Sequence, residues 1–409
     1  MKVINCTLFQ GNPYTKAIYS SIVDKYEPVK GDIDLAVKEL REHGVGALHI
    51  HWEEHLIRHC CSEEEAQHLV RYFVARLDYY KKLGGVVLWT VHNSLPHELE
   101  YVDIFLNLRA EIAKRCDRIL VHNIRTIALL LDQGINYANK VFMLPHPSYL
   151  GVYGGKMADA VDVGALSCNR TILSFGLVRR YKNLERLFLE IDPTFTRENN
   201  LRIHVAGAAI SGDGYGAELE ASCAGRDDVF FDLRHIPDAS IPDLMANAGC
   251  LILPYDRFLT SGAALLGISF GKIVIGPRTP QFVEVLPASV HRFLYDPDVH
   301  GDLRRAVLEV AGLSAEDHQA IVRDLLERAE YYSPAVVSAQ LGQLLDLLIE
   351  ASDKKSAASK KSSVAGDATA KSGEQTKPLG QRLYGKRNRI GISVGLLSAI
   401  RKGRRWFRF

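Results

Sequence analysis

The chain has no run of about eighteen apolar residues, so no segment reads as a membrane-spanning helix. It shows no signal-peptide pattern: Met1-Lys-Val-Ile-Asn-Cys opens directly as a strand, with Asn5 interrupting it. Its seven cysteines, at 6, 60, 61, 116, 168, 223 and 250, form no C-x-x-C pair, and several sit in apolar, strand-like surroundings, so reduced core thiols are expected. His-Glu-x-x-His is also missing. His51, His55 and His59 recur at helical i, i+4 spacing beside Glu53 and Glu54, but without the ligand arrangement of a zinc site. The expectation there is a helix surface with one cleft-facing histidine and no metal. Together these absences predict a cytoplasmic protein, with peripheral attachment to a membrane face left open.

What is present begins with length. At 409 residues and 47% hydrophobic, the chain is long enough for two domains with sizeable cores and an extra segment. Its formal charge of +2 conceals an asymmetry: residues 353–409 carry +12, and the remainder carries −10. An acidic body with a basic tail points to an anionic surface met by the tail alone.

Apolar strand-like runs alternate with helical patterns. In the first half, Val3–Cys6, Ala47–His51, Gly85–Val91 and Arg118–Val121 read as strands, and Glu63–Lys82 as a helix with Leu69, Phe73 and Leu77 on one face. The stretch Leu150–Asn169, rich in Gly, Ala and Asp, reads as a linker. The rhythm then restarts with strands at Thr171–Phe175, Leu201–Ala206, Val229–Asp232, Cys250–Pro254 and Ile273–Gly276, and helices between and after them. Such β-α-β alternation predicts parallel sheets covered by helices. The expected division is 1–160, 165–332, a helix over 333–351 capped by Ser333, and a segment 352–409. Lys, Ser, Ala, Gly and Thr fill 352–376 without periodicity and predict disorder. The end, with apolar groups at 390, 394, 397 and 400 and then Arg404-Arg-Trp-Phe-Arg-Phe409, is basic and amphipathic. It suits an anionic lipid interface through residues 377–409 better than nucleic acid.

Two segments carry most of the chemistry. Ser174-Phe-Gly-Leu-Val-Arg-Arg-Tyr-Lys182 is a buried strand running into a glycine turn with Arg179 and Lys182 beyond it. Leu253-Pro-Tyr-Asp-Arg-Phe-Leu-Thr-Ser261-Gly262 is a strand end followed by a small-residue turn that opens a helix. Cations on one turn and free N–H groups at a helix N-terminus together suit a diphosphate. In parallel α/β sheets such sites lie at the carboxyl ends of strands.

On these residues the chain resembles the GT-B glycosyltransferases, and most the large retaining, family 4-like group that builds bacterial cell-surface polysaccharides. The resemblance rests on Phe175, Gly176, Arg179, Tyr181 and Lys182; on Leu253, Pro254, Tyr255, Ser261 and Gly262; and on Phe270, Gly271, Lys272 and Val274. It implies two Rossmann-like, doubly wound domains facing across a cleft, the first for the acceptor and the second for a nucleotide-diphosphate sugar, UDP- or GDP-linked. It places Gly176, Arg179, Lys182, Tyr255, Ser261 and Gly262 on the donor. Fainter echoes in the first half are Thr90-Val-His92-Asn93-Ser-Leu-Pro-His97-Glu98, Leu144-Pro-His146-Pro147 and Ala47-Leu-His49-Ile-His51-Trp52. They imply that His92 meets the transferred sugar, as a hydrogen-bond partner or a proton acceptor, and that Gly11, Asn12, His51 and Asn93 line the acceptor side. His97 or Glu98 would serve as the acceptor's base if the reaction inverts. The implied acceptor is a saccharide on polyprenyl diphosphate.

The chain departs from this pattern at one place. Where many relatives carry two Glu about seven residues apart, the first position falls near Phe258 and the second at Leu266, neither acidic, and Glu284 becomes the candidate for the sugar or ribose contact. Two other readings stay open: a degenerate GT-B protein that binds nucleotide or glycan as a non-catalytic partner, and a nucleotide-sugar epimerase of the same fold.

Overall fold

The computed structural model describes residues 1–6, 12–94, 100–154, 169–210 and 212–368, with side chains to 355. It contains two parallel sheets. The first has six strands, β1 (Lys2–Cys6), β2 (Glu27–Gly31), β3 (Ala47–Ile50), β4 (Val86–Thr90), β5 (Arg118–Val121) and β6 (Val141–Met143), in the order β2-β1-β3-β4-β5-β6. The second has β7 (Thr171–Phe175), β8 (Arg202–Ala206), β9 (Val229–Asp232), β10 (Cys250–Ile252), β11 (Val274–Pro277) and β12 (Leu294–Tyr295), in the order β12-β11-β10-β7-β8-β9.

Central strands are buried on both faces and read as apolar runs, as parallel strands under helices must. Every residue of β3 and β4 is buried, Trp89 completely. The strands that the sequence reading omits are β2, β6 and β12. All three are edges: β2 is Glu-Pro-Val-Lys-Gly with no fully buried residue, and β6 and β12 have three and two residues. β2 and β6 bury only part of their surface, so little apolar pattern marks them, and β12 is buried but only two residues long.

The two sheets belong to one compact unit, Met1–Ala358. Asn123, after β5, donates through Nδ2 to the Leu259 carbonyl at 2.7 Å, and Leu259 packs into the core of the first sheet. Ser148 donates through Oγ to the Ala329 carbonyl at 2.8 Å, and the Tyr149 amide donates to Ser269 Oγ at 2.8 Å. The carboxyl ends of the two sheets therefore meet.

The helix Pro334–Ala368 packs Val337, Leu341, Leu344 and Leu345 with Val3, Tyr14, Ile18 and Tyr19 of the first half. Gly342 allows close approach, because a Cβ there would stand 2.8 Å from Ile22 Cγ2. The helix runs to Ala368, beyond the end at 351 and into the stretch expected to be disordered. Ala and Lys cost little in a helix, so a segment with no apolar periodicity still continues one already begun. A further difference concerns His51, His55 and His59. They do not share a helix face: His51 follows β3 and is fully buried, and a short 3₁₀ turn, Glu53–Leu56, comes next. Residues 377–409 lie outside the described part of the chain.

Leu341 is fully buried in this seam. Leu341→Ala is expected to lower unfolding free energy by about 2–5 kcal/mol, read as a lower denaturant midpoint at unchanged slope.

Candidate active site

At the end of β7 the chain turns at Gly176, with φ +101°, against Gly207 at the end of β8, with φ +144°. A Cβ on Gly207 would lie 2.4 Å from the Gly176 carbonyl oxygen, so the two strand ends approach closely only without side chains. Beyond the turn a short 3₁₀ segment, Arg180–Lys182, folds Lys182 inward. Its Nζ donates to the Phe175 carbonyl at 3.1 Å and lies 5.6 Å from the centre of the Tyr255 ring. Lys182 is 5% exposed. Burial, with the nearby Arg179 charge, pulls its pKa down to about 7. No carboxylate pairs with it among the described residues. Arg180, by contrast, is exposed and paired with Glu218 at 2.9 Å.

Tyr255, after β10, hydrogen-bonds Ser261, and its hydroxyl pKa is driven well up by burial. Ser261 caps the helix Gly262–Ser269 by accepting from the Ala264 amide at 3.2 Å. Gly262 sits under Tyr149, whose hydroxyl would be 2.9 Å from a Cβ there. Gly176, Lys182, Tyr255, Ser261 and Gly262 are thus gathered at one sheet edge, with Arg179 on the approach.

Glu284 is placed differently. It lies on the helix Pro280–Val285, and its carboxylate accepts from the Ile124 amide at the start of the helix Ile124–Asp132. Its carbonyl accepts from Arg328 and from Tyr332. In this structure Glu284 ties the two sheets' layers together. Leu266 is 2% exposed in the second core, and Phe258 packs on Phe282 at 4.5 Å.

The opposing edge, at the ends of β3, β4 and β5, is unusually rich in imidazole. His49, His51, His92, His122 and His146 pack ring against ring, with neighbouring centroids 3.9–5.3 Å apart. Trp52 stacks on His92 at 4.1 Å, and Tyr14 meets it edge-on at 4.9 Å. Burial pushes every one of these imidazoles down: His49 and His146 to about 3, His122 to about 4, and His51 and His92 well below the usual value. The cluster is neutral at pH 7. A neutral imidazole presents one donor and one acceptor, which suits sugar hydroxyls.

The loop after His92 is anchored from below. Arg109, fully buried, donates from Nε to Glu53 Oε1 at 2.6 Å, and its other nitrogens donate to the Asn93 and Ser94 carbonyls at 2.6 Å each. Trp89 Nε1 donates to Glu53 Oε2 at 3.0 Å. Glu54 has no such ion pair among the described residues. Its Oε1 accepts from Asn93 Nδ2 at 2.5 Å, and Oε2 is buried without a hydrogen-bond partner among the described residues. Burial, then the Glu53 charge, raises its pKa to about 7.

Asn12 accepts from the Tyr14 amide at 3.0 Å and caps the helix Pro13–Tyr19. Gly11, His97 and Glu98 lie outside the described residues. The structure adds Asn5, Tyr14, Glu54, Arg109, His122 and His146 to this neighbourhood. The available sequence signal was a polar residue inside or at the end of an apolar strand, as at Asn5 and His122.

No protein-family model matches the chain. The GDP-mannose:glycolipid 4-beta-D-mannosyltransferase of Xanthomonas campestris pv. campestris is 23% identical over 316 residues, 73% of this chain and 79% of the relative. HepE of Anabaena, solved in complex with UDP, matches with a TM-score of 0.62 at 12% identity, over 85% of this chain and 100% of that one. Sucrose-phosphate synthase of Thermosynechococcus elongatus matches with a TM-score of 0.61 at 13% identity, over 86% and 100% of the two chains. The fold is GT-B. Fold and relatives together define the chain as a glycosyltransferase of that class.

The Lys182 environment has a consequence for stability. Its folded pKa of about 7 lies below the unfolded value of about 10.4. Between those two pH values the unfolded chain binds more protons, so stability rises with pH across that window. Lys182→Met should remove this contribution, giving a shallower rise in unfolding free energy from pH 7 to 10 than wild type, measured by chemical denaturation.

Proposed function

We propose that the protein transfers a hexose from a nucleotide-diphosphate sugar to a saccharide acceptor carried on a polyprenyl diphosphate. The observation that carries this reading is Lys182, a buried amine on a glycine turn at a strand's carboxyl end, beside Arg179 and without a carboxylate partner among the described residues. An amine held this way gains most from a dianionic ligand, which supplies the missing counter-charge in a low-dielectric place.

In this reading Lys182 and Arg179 draw charge onto the leaving diphosphate as the anomeric bond breaks. The amides opening the Gly262–Ser269 helix add their dipole, and Tyr255 holds Ser261 in register. The neutral His92, beside Trp52, hydrogen-bonds a sugar hydroxyl, and His51 and Asn93 support the acceptor side. His97 and Glu98 remain candidates for the acceptor's base. The relative named for GDP-mannose and glycolipid favours a GDP-linked donor and a lipid-linked acceptor; the UDP complex of HepE keeps UDP as the second choice. The basic segment 377–409 would hold the enzyme on the anionic cytoplasmic face of a membrane.

Thermal unfolding with GDP, UDP, ADP and dTDP, for wild type and Lys182→Ala, tests the donor assignment. One nucleotide should raise the wild-type melting temperature, by linkage worth about 2.7 kcal/mol at 100 times Kd, and leave the variant unmoved. Transfer from the matching nucleotide-sugar to a lipid-linked acceptor should fall about 10²- to 10³-fold in the variant. Nucleotide binding without transfer to any lipid-linked acceptor would favour the non-catalytic partner reading, and sugar isomerisation without acceptor the epimerase.

Truncation after Ala368 should leave the melting temperature unchanged and abolish co-sedimentation with phosphatidylserine vesicles. Unchanged co-sedimentation would remove the tail from the membrane role.

A further inference from the structure

Asn5 sits in the middle of β1 between apolar neighbours and is fully buried. A buried amide is costly unless it is hydrogen-bonded, and here both ends are. Nδ2 donates to the Val3 carbonyl at 2.9 Å, which settles which end is the amide nitrogen. Oδ1 accepts twice: from the Tyr19 hydroxyl at 3.3 Å and from His51 Nε2 at 3.0 Å.

An amide oxygen carries no hydrogen, so His51 must hold its proton on Nε2. A neutral His51 then has a bare Nδ1. His92 Nε2 lies 3.1 Å from that nitrogen, so it must be the donor. The chain of donation from Asn5 therefore leaves His92 with a bare Nδ1. The same oxygen orders a second branch. Tyr19 donates to Asn5, so it accepts from His49 Nδ1 at 2.8 Å, and Thr90 donates to His49 Nε2 at 2.7 Å.

The geometry points to Asn5, acting through His51, as a positioning residue that presents His92 Nδ1 as a fixed hydrogen-bond acceptor for a substrate hydroxyl, without taking the proton. An Asp behind such a histidine pair would stabilise imidazolium; an Asn cannot. The groups facing His92 agree with this. They are His51 and Trp52 after β3, Tyr14 on the Pro13–Tyr19 helix, His122 after β5 and His146 after β6, with His49 further back. Among the described residues none is a carboxylate, and Glu54 is bonded to Asn93, not to either ring. The ring is also held in place, between the Trp52 face at 4.1 Å and the Tyr14 edge at 4.9 Å.

This inference rests on the reading of the first sheet's edge as a substrate site, but its test does not use turnover. The full chain is labelled with ¹⁵N-histidine, and long-range ¹H–¹⁵N spectra are recorded from pH 6 to 8, with His51→Gln and His92→Gln used for assignment. Both rings should carry hydrogen on Nε2, with His92 Nδ1 at the position of an unprotonated nitrogen throughout. A His92 ring protonated on Nδ1, or doubly protonated at pH 7, would overturn the proposal.

Asn5→Asp supplies the second arm, because it keeps shape and both contacts of the acceptor oxygen and, when ionised, adds charge in exchange for the donor to the Val3 carbonyl. It should move the titration of the His51–His92 pair upward by about 1 to 3 pH units. A merely structural Asn5 predicts lost stability with the titration unmoved, and that result would also overturn the proposal.

Discussion

Parallel strand pairing is the constraint on which the rest of this structure depends. Every paired strand runs in one direction, so all strand ends emerge on one edge of each sheet. Helices cover both faces, and the faces must be apolar. The carboxyl edge is then the place where polar groups can stand beside one another while backbone amides are still unpaired. Gly176, Tyr255 and the Ser261 cap occupy that edge in the second sheet; His51, His92 and His122 occupy it in the first. Contacts such as Asn123 to Leu259 bring the two edges together.

Within this frame the protein treats two buried cations in opposite ways. Arg109 is paired: Glu53 and the Asn93 and Ser94 carbonyls take its hydrogens, and the result is a fixed backbone at those two residues after His92. Lys182 is given one carbonyl and an aromatic face, and its pKa falls accordingly. The first arrangement is what rigidity requires. The second leaves the amine's charge largely uncompensated by the described residues around it. The histidine cluster follows a third course, in which burial keeps all rings neutral and hydrogen bonds decide which nitrogen is bare.

Much of the fold was legible because central parallel strands are apolar on both faces. Val86–Thr90 and Cys250–Ile252 announce themselves for that reason, whereas β2 and β6 are edges with little buried surface and β12, though buried, has only two residues in which a pattern could show. The extension of the last helix to Ala368 escaped the same logic, since propensity rather than packing carries it. At the edge of the second sheet the glycine turn with its cations is contiguous in sequence, and so visible. Glu284 shows the opposite: a carboxylate at a plausible spacing is directed by tertiary packing to the Ile124 amide.

The sequence by itself determined the α/β alternation, the two-sheet architecture and the place of the glycine turn at Gly176 with Arg179 and Lys182 beyond it. Those properties follow from periodicity and from residues adjacent in the chain. Only the tertiary structure decided how Asn5, His51 and His92 share protons, that Glu53 rather than Glu54 receives Arg109, and that Lys182 is buried with no carboxylate paired to it among the described residues. Each of these depends on distance and burial between residues that lie 41 or 56 positions apart, as for His51 with His92 and Glu53 with Arg109, or on solvent exclusion around one amine. Neither is encoded in local pattern, because the free energy of a buried polar group is set by whatever surrounds it.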